Sequence, residues 1–106
     1  RNAAFWNSIG VLYLTTQQFR DALDAFSRAI QHGPFVADIW WNLGVLYETC
    51  NGQLVDAVDA YQRASELADP SQPNAPRIRT RLAQVRAALA HQAPTPTLDG
   101  LRVVEI

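Results

Sequence analysis

Lysine and methionine are missing from this chain of 106 residues, and cysteine occurs once. Each shortage narrows what the protein can be. All nine basic residues are arginines, set against ten acidic ones for a net charge of -1, which excludes a broad DNA-wrapping surface. Cys50 has no second thiol to pair with, so no disulfide staples the chain, and a reducing compartment suits it better than a secreted one. It also has no thiol or histidine at ligand spacing, so no metal site is expected, and it reads as a small apolar residue at a helix end. No apolar run approaches the roughly 20 residues of a membrane helix, and no signal-peptide pattern is visible. The two histidines, His32 and His91, sit apart at expected helix C-termini, where the dipole favours them, and no partner motif makes either a catalytic base. The chain is therefore not expected to be an enzyme or to need a cofactor. With no initiator methionine before its first motif, it is expected to be a piece of a longer chain.

What is present is a repeat. Trp40-Trp41-Asn42-Leu43-Gly44-Val45-Leu46-Tyr47 is followed by Ala57, Tyr61, Ala64 and Pro70. The same order of residue types appears earlier as Trp6-Asn7-Ser8-Ile9-Gly10-Val11-Leu12-Tyr13, followed by Ala22, Phe26, Ala29 and Pro34. This is similar to the tetratricopeptide signature, W-x-x-L-G-x-x-Y, then A-x-x-x-F, then P, at about 34 residues per repeat. Trp6 to Trp40 keeps that period, but Ala22 to Ala57 is one residue longer, so the second repeat is expected to carry an extra residue in its inner turn.

The pattern predicts five helices and no strand. Asn2 is a candidate N-cap for Ala3 to Thr15, where Phe5, Trp6, Ile9, Leu12 and Tyr13 recur at helical spacing. Gly10 sits mid-helix, which costs about 1 kcal/mol relative to alanine and so calls for close packing, with Ala22 as the matching small surface. A second helix runs from about Phe19 to Gln31, ended by Gly33 and Pro34. A third spans Val36 to about Asn51, with Asp38 near its positive end, and a fourth spans Leu54 to Ala68 after the turn at Asn51-Gly52. Asp24 with Arg28 and Asp59 with Arg63 should each add a few tenths of a kcal/mol at i, i+4. After the stiff break Asp69-Pro70-Ser71-Gln72-Pro73, Asn74 can cap a fifth helix to His91, with Ile78, Leu82, Val85 and Leu89 in one stripe.

The expected architecture is thus an all-α solenoid fragment. Residues 3–36 form one repeat, 37–70 a second with the inserted turn residue, 74–91 a capping helix, and 92–106 a linker and disordered tail. About three repeats are usually needed for stability, so the first helix is expected to have an upstream neighbour from the rest of its own array.

The tetratricopeptide resemblance implies that the first helix of each repeat lines a groove. The candidate partner-binding residues there are Asn7, Val11, Leu14, Asp38, Trp41, Asn42, Val45 and Glu48. Trp40 already fills the structural position, so Trp41 either anchors a partner peptide or packs against an adjoining helix. A clamp for chaperone carboxylates, which related domains build with lysine and asparagine, is not expected in a chain without lysine. Arg77, Arg79, Arg81 and Arg86 on the fifth helix offer an acidic partner a docking place or form a solvated outer face. Nucleic-acid binding would need a larger basic surface interleaved with aromatics.

The wording of the second repeat is more distinctive. Asn42 to Gln53, running into Asp56 to Leu67, resembles the last repeats of the fungal general transcriptional co-repressors, whose tetratricopeptide subunit works with a Tup-type WD-repeat protein. The Arg77-Ile78-Arg79-Thr80-Arg81-Leu82 helix and the Ala93 to Pro96 linker are similar too. Animal histone demethylases share a similar Leu-Tyr-Glu-x-Cys-Asn stretch. The resemblance implies a nuclear protein-interaction scaffold, with a WD-repeat co-repressor and DNA-binding transcription factors as partners and no direct nucleic-acid contact. The alternatives are the non-catalytic repeat region of a histone demethylase and a generic assembly adaptor.

Overall fold

The computed structural model describes residues 2–50 and 52–92, which form five α-helices: α1 (Ala3–Thr15), α2 (Phe19–His32), α3 (Ala37–Cys50), α4 (Leu54–Leu67) and α5 (Ala75–Gln92). Arg1, Asn51, the segment 93–106 expected to form a linker and tail, and the side chains of Cys50 and Gln92 lie outside the described residues. Helices adjacent in sequence pack on one another, so α1 with α2 and α3 with α4 form antiparallel pairs, and α5 lies on α4.

Local chemistry accounts for the helix ends. Asn2 Oδ1 accepts the Phe5 N–H at 2.8 Å, satisfying one of the free donors at the start of α1. Gly33 ends α2 by donating its N–H to the Ala29 carbonyl at 2.8 Å, with an extended φ of -150°. At the break before α5, Asp69 Oδ1 accepts from the Ser71 N–H at 3.0 Å and from Ser71 Oγ at 2.9 Å. These two bonds hold the Asp69 carboxyl below its ordinary pKa.

Two corrections concern the repeat register. The extra residue is not in the turn: three positions separate α1 from α2 and α3 from α4, while α1 has 13 residues and α3 has 14. The same closing bond shows where the residue went. Gln18 N–H reaches back five residues to the Tyr13 carbonyl, whereas Gln53 N–H reaches back six, to that of Tyr47. The helix absorbs the insertion near its C-terminus, past its packed face. The second correction is an ion pair. Asp24 and Arg28 do pair, at 3.1 Å, but Arg63 turns to Glu66 at 3.4 Å rather than to Asp59.

The mid-helix glycines have a packing reason, though the partner is an aromatic ring. A Cβ at Gly10 would stand 2.5 Å from the Phe26 ring, and one at Gly44 the same distance from the Tyr61 ring. Ala22 and Ala57 are buried beside those rings and keep the second helices close. One core cluster is built on Ala22, Phe26, Leu43, Leu46 and Ala60, and a second on Ala57, Tyr61, Leu82 and Val85. Tyr47 packs against both and so joins them.

Candidate partner-binding groove

Helices α1, α3 and α5 each expose residues to a shared face, because α2 and α4 occupy the other side of each pair. Two hollows that share Trp41 open there, beside a third of about 560 Å3 between α1 and α3 that also takes in Asn7 and Asp38. The smaller, about 310 Å3, is lined by Asn7, Asp38, Trp41, Asn42, Asn74, Arg77 and Ile78. The larger of these two, about 490 Å3, has Trp41 and Val45 as its apolar part over the buried Tyr61 ring, with Glu48, Thr49, Arg77, Thr80, Arg81 and Gln84 around them. Trp41 and Arg77 line both hollows and form the ridge between them.

Trp41 packs against its neighbours, one of the two readings the sequence left open, and also keeps part of its side chain on the open face. It is half-buried against the second core cluster, its ring centre 5.1 Å from that of Tyr61, and it still lines both hollows. The Arg77 guanidinium lies 5.4 Å from its ring centre, a cation–π contact that fixes a long side chain over the indole. Arg28 over Trp6 at 5.0 Å and Arg63 over Trp40 at 6.0 Å stack in the two repeats themselves, away from this face.

Six of the eight groove residues expected from the sequence come together here. Asn7, Asp38, Trp41 and Asn42 line the smaller hollow, and Trp41, Val45 and Glu48 line the larger. Asn42 Nδ2 donates to Asn7 Oδ1 at 2.8 Å, tying α3 to α1, and Asn74 Nδ2 donates to Asp38 Oδ1 at 2.8 Å, tying α5 to α3. Val11 and Leu14 line neither hollow. Val11 is exposed further along α1, and Leu14 packs against the first core cluster, so its side chain serves the join between the pairs.

Glu48 differs most from expectation. Its carboxylate accepts the Tyr61 hydroxyl at 2.9 Å and Arg81 Nε at 3.1 Å, and also bonds Arg81 Nη2. It therefore clasps α3, α4 and α5 together and is not available as a bare groove acid. The sequence missed Arg77, Arg81 and Tyr61 as groove residues. Arg77 and Arg81 were expected on the fifth helix either as a docking place for an acidic partner or as a solvated outer face, not beside Trp41 and Glu48. The i, i+4 spacing of Arg77 and Arg81, which puts both on one side of α5, was the available signal.

The tetratricopeptide repeat family model matches residues 7–76, more than half of the chain. This chain is a tetratricopeptide repeat protein. The match runs from within α1 through α4 and the break to the first residues of α5, and the all-α architecture of the described residues is that of a tetratricopeptide array. Repeats of this family generally serve as non-catalytic protein-interaction modules. Among the described residues no three His, Cys, Asp or Glu side chains gather where they could hold a metal ion, and no helix is long and apolar enough to cross a membrane.

Proposed function

We propose that this tetratricopeptide segment is a docking scaffold of a nuclear transcriptional co-repressor. It would grip segments of DNA-binding factors on the face of α1, α3 and α5, alongside a WD-repeat co-repressor. The observation that carries the docking face is the Trp41–Arg77 ridge flanked by two open hollows. A large aromatic held rigid in such a place loses little entropy on binding and buries much area. The nuclear partners rest on the resemblance of the second repeat and of the helix and linker that follow it.

The same proposal places the segment within a longer array. Ile39, Leu43 and Leu46 on α3 are buried, as are Ile78, Leu82 and Val85 on α5, each set spaced i, i+4, i+7. Phe5, Ile9 and Leu12 repeat that spacing on α1, yet Phe5 is 52% and Leu12 65% exposed. A helix like α2 would cover them. Trp40 Nε1 donates to the Pro34 carbonyl, six residues before it, at 2.8 Å, whereas the buried Trp6 Nε1 has no partner among the described residues.

The test is a nuclear-extract pull-down with the full-length protein and with Thr80→Trp, which fills the larger hollow from an exposed position. Recovery of a WD-repeat co-repressor and transcription factors, with some factors lost in the variant, is the expected result. Assembly cargo without transcription factors overturns the co-repressor reading. An unchanged partner set in the variant overturns the docking face.

A further inference from the structure

We infer that the turn edge of the molecule carries a second docking surface, which takes a basic linear segment of a partner protein. One large apolar side chain of that segment lodges beside Phe35, Val36 and Leu67, with its cations set against Asp38 and Asp69. This goes beyond the docking face proposed above and uses nothing of the Trp41–Arg77 ridge.

The apolar part has no duty in the fold. A hollow of about 270 Å3 opens where α2 gives way to α3 and α4 to α5. Phe35 and Val36 reach it from the first of these turns, 71% and 43% exposed, and the half-buried Leu67 from the end of α4. Neither Phe35 nor Val36 packs against the two core clusters. The turn does not call for them either. Where the first repeat carries Phe35 and Val36 after Pro34, the second carries Ser71 and Gln72 after Pro70. Two adjoining large apolar residues left in solvent mark an interaction surface. The volume lies just below the usual range of small-molecule sites and has room for a single large side chain, which favours an extended segment over the face of a helix.

The charge around the hollow names the occupant. Asp38 and Asp69 both line it, and neither has an ion-pair partner among the described residues. Their hydrogen bonds come from neutral donors: Asp38 accepts from Asn74, and Asp69 from the N–H and hydroxyl of Ser71. The Ser71 bonds hold the Asp69 carboxyl below its ordinary pKa, so it is charged at neutral pH. Among the described residues no arginine lines this hollow. Arg63 is engaged by Glu66 and by the Trp40 ring, and Arg77, which shares the smaller groove hollow with Asp38, stacks over Trp41. The edge therefore joins exposed apolar surface to unmatched negative charge. A segment with arginine or lysine on both sides of a large apolar residue complements it in both respects.

The experiment titrates the full chain with a short peptide carrying one phenylalanine between two arginines. Its counterparts carry glutamine for both arginines, or alanine for the phenylalanine. Nuclear magnetic resonance follows the backbone amides of Phe35, Val36 and Ser71 and the Trp41 indole N–H. The arginine peptide should shift the three amides and leave the indole in place. It should bind about fivefold or more tightly than either counterpart and weaken as salt rises. Asp69→Asn keeps an oxygen for both Ser71 bonds while removing the charge, and should weaken binding about two- to fivefold. Phe35→Ser with Val36→Gln gives the first turn the residues of the second and should abolish the shifts, whereas Thr80→Trp in the groove should leave them unchanged. Equal binding of the arginine and glutamine peptides overturns the basic occupant. Shifts confined to the Trp41 indole put the peptide in the groove and overturn this surface. Shifts of Phe35 and Val36 on concentrating the chain without peptide make a second copy the occupant and overturn the partner segment.

Discussion

Tyr61 occupies the space that a side chain at Gly44 would need. A Cβ built on Gly44 would lie 2.5 Å from Tyr61 Cε1 and 2.6 Å from Cδ1, and Phe26 stands over Gly10 in the same way. Both rings are fully buried, so neither can swing out of the way. Gly44→Ala and Gly10→Ala should therefore each destabilise the chain by about 1–3 kcal/mol, although alanine is the better helix former. Urea denaturation measures this. An alanine at either site that leaves stability unchanged or raises it would show that the helices can separate without cost.

The two inter-helix turns should respond in opposite directions. Gln17 has φ 63° and Gly52 φ 61°, both in the left-handed region that strains any residue with a Cβ. Gln17 is exposed, and no atom lies within 4 Å of a Cβ built at Gly52. Gln17→Gly should gain about 0.5–1 kcal/mol, and Gly52→Ala should lose about 1 kcal/mol. The midpoints of thermal unfolding decide it, and two shifts of the same sign would rule out the backbone explanation.

Tyr61 links stability to alkaline pH. Burial pushes its phenol up to about 12 from the ordinary 10.0. The folded chain then keeps a proton that the unfolded chain has released, so this contribution is full below pH 10.0 and is lost as pH rises through about 12. Tyr47 is shifted upward too, by burial and then by the charge of Asp56. Tyrosinate absorbance of the wild type should show a late titration that Tyr61→Phe removes. A wild-type curve already complete near the ordinary value would contradict the packing of this ring.

Glu48 should matter more for stability than its place on an open face suggests. Its side chain is 19% exposed and that of Arg81 40%, so solvent screens the pair in part. Glu48→Ala should cost about 1–2 kcal/mol by leaving the Tyr61 hydroxyl without its acceptor and Arg81 with only its bond to Gln84. Tyr61→Phe should cost about 0.5–1.5 kcal/mol. In a double-mutant cycle the two losses should fall short of additivity, because they share the same carboxylate. Strict additivity would mean the clasp does not act as a unit.

Trp41→Ala should weaken partner binding and folding together. The indole packs on Tyr61 and the second core cluster, so its removal should cost about 2 kcal/mol or more. Circular dichroism melts beside binding isotherms would separate the two effects, with Thr80→Trp expected to change binding alone. A Trp41→Ala chain with unaltered melting would mean that the indole serves the surface only.

The sequence by itself determined the five helices, the two repeats and the need for close contact at Gly10. Those features follow from local rules, namely caps, apolar periodicity and small residues at fixed spacing, and each can be read within a window of one or two turns. It also determined most of one groove wall, because Asp38, Trp41, Asn42 and Val45 lie on one side of α3 whatever α3 packs against. Tertiary structure alone decided what stands opposite that wall. Arg77 reaches Trp41, Arg81 reaches Glu48 and Asn42 reaches Asn7 across 33 to 36 residues, and such pairs depend on how far apart and at what angle two helices cross. It likewise set Leu14 against the first core cluster and the extra residue at the end of α3. The reason is that helical periodicity fixes only the direction in which a side chain leaves its own axis. Whether it meets solvent, a core or an opposite charge depends on the neighbouring helix, and one residue of drift along α3 rotates everything after it by about 100°.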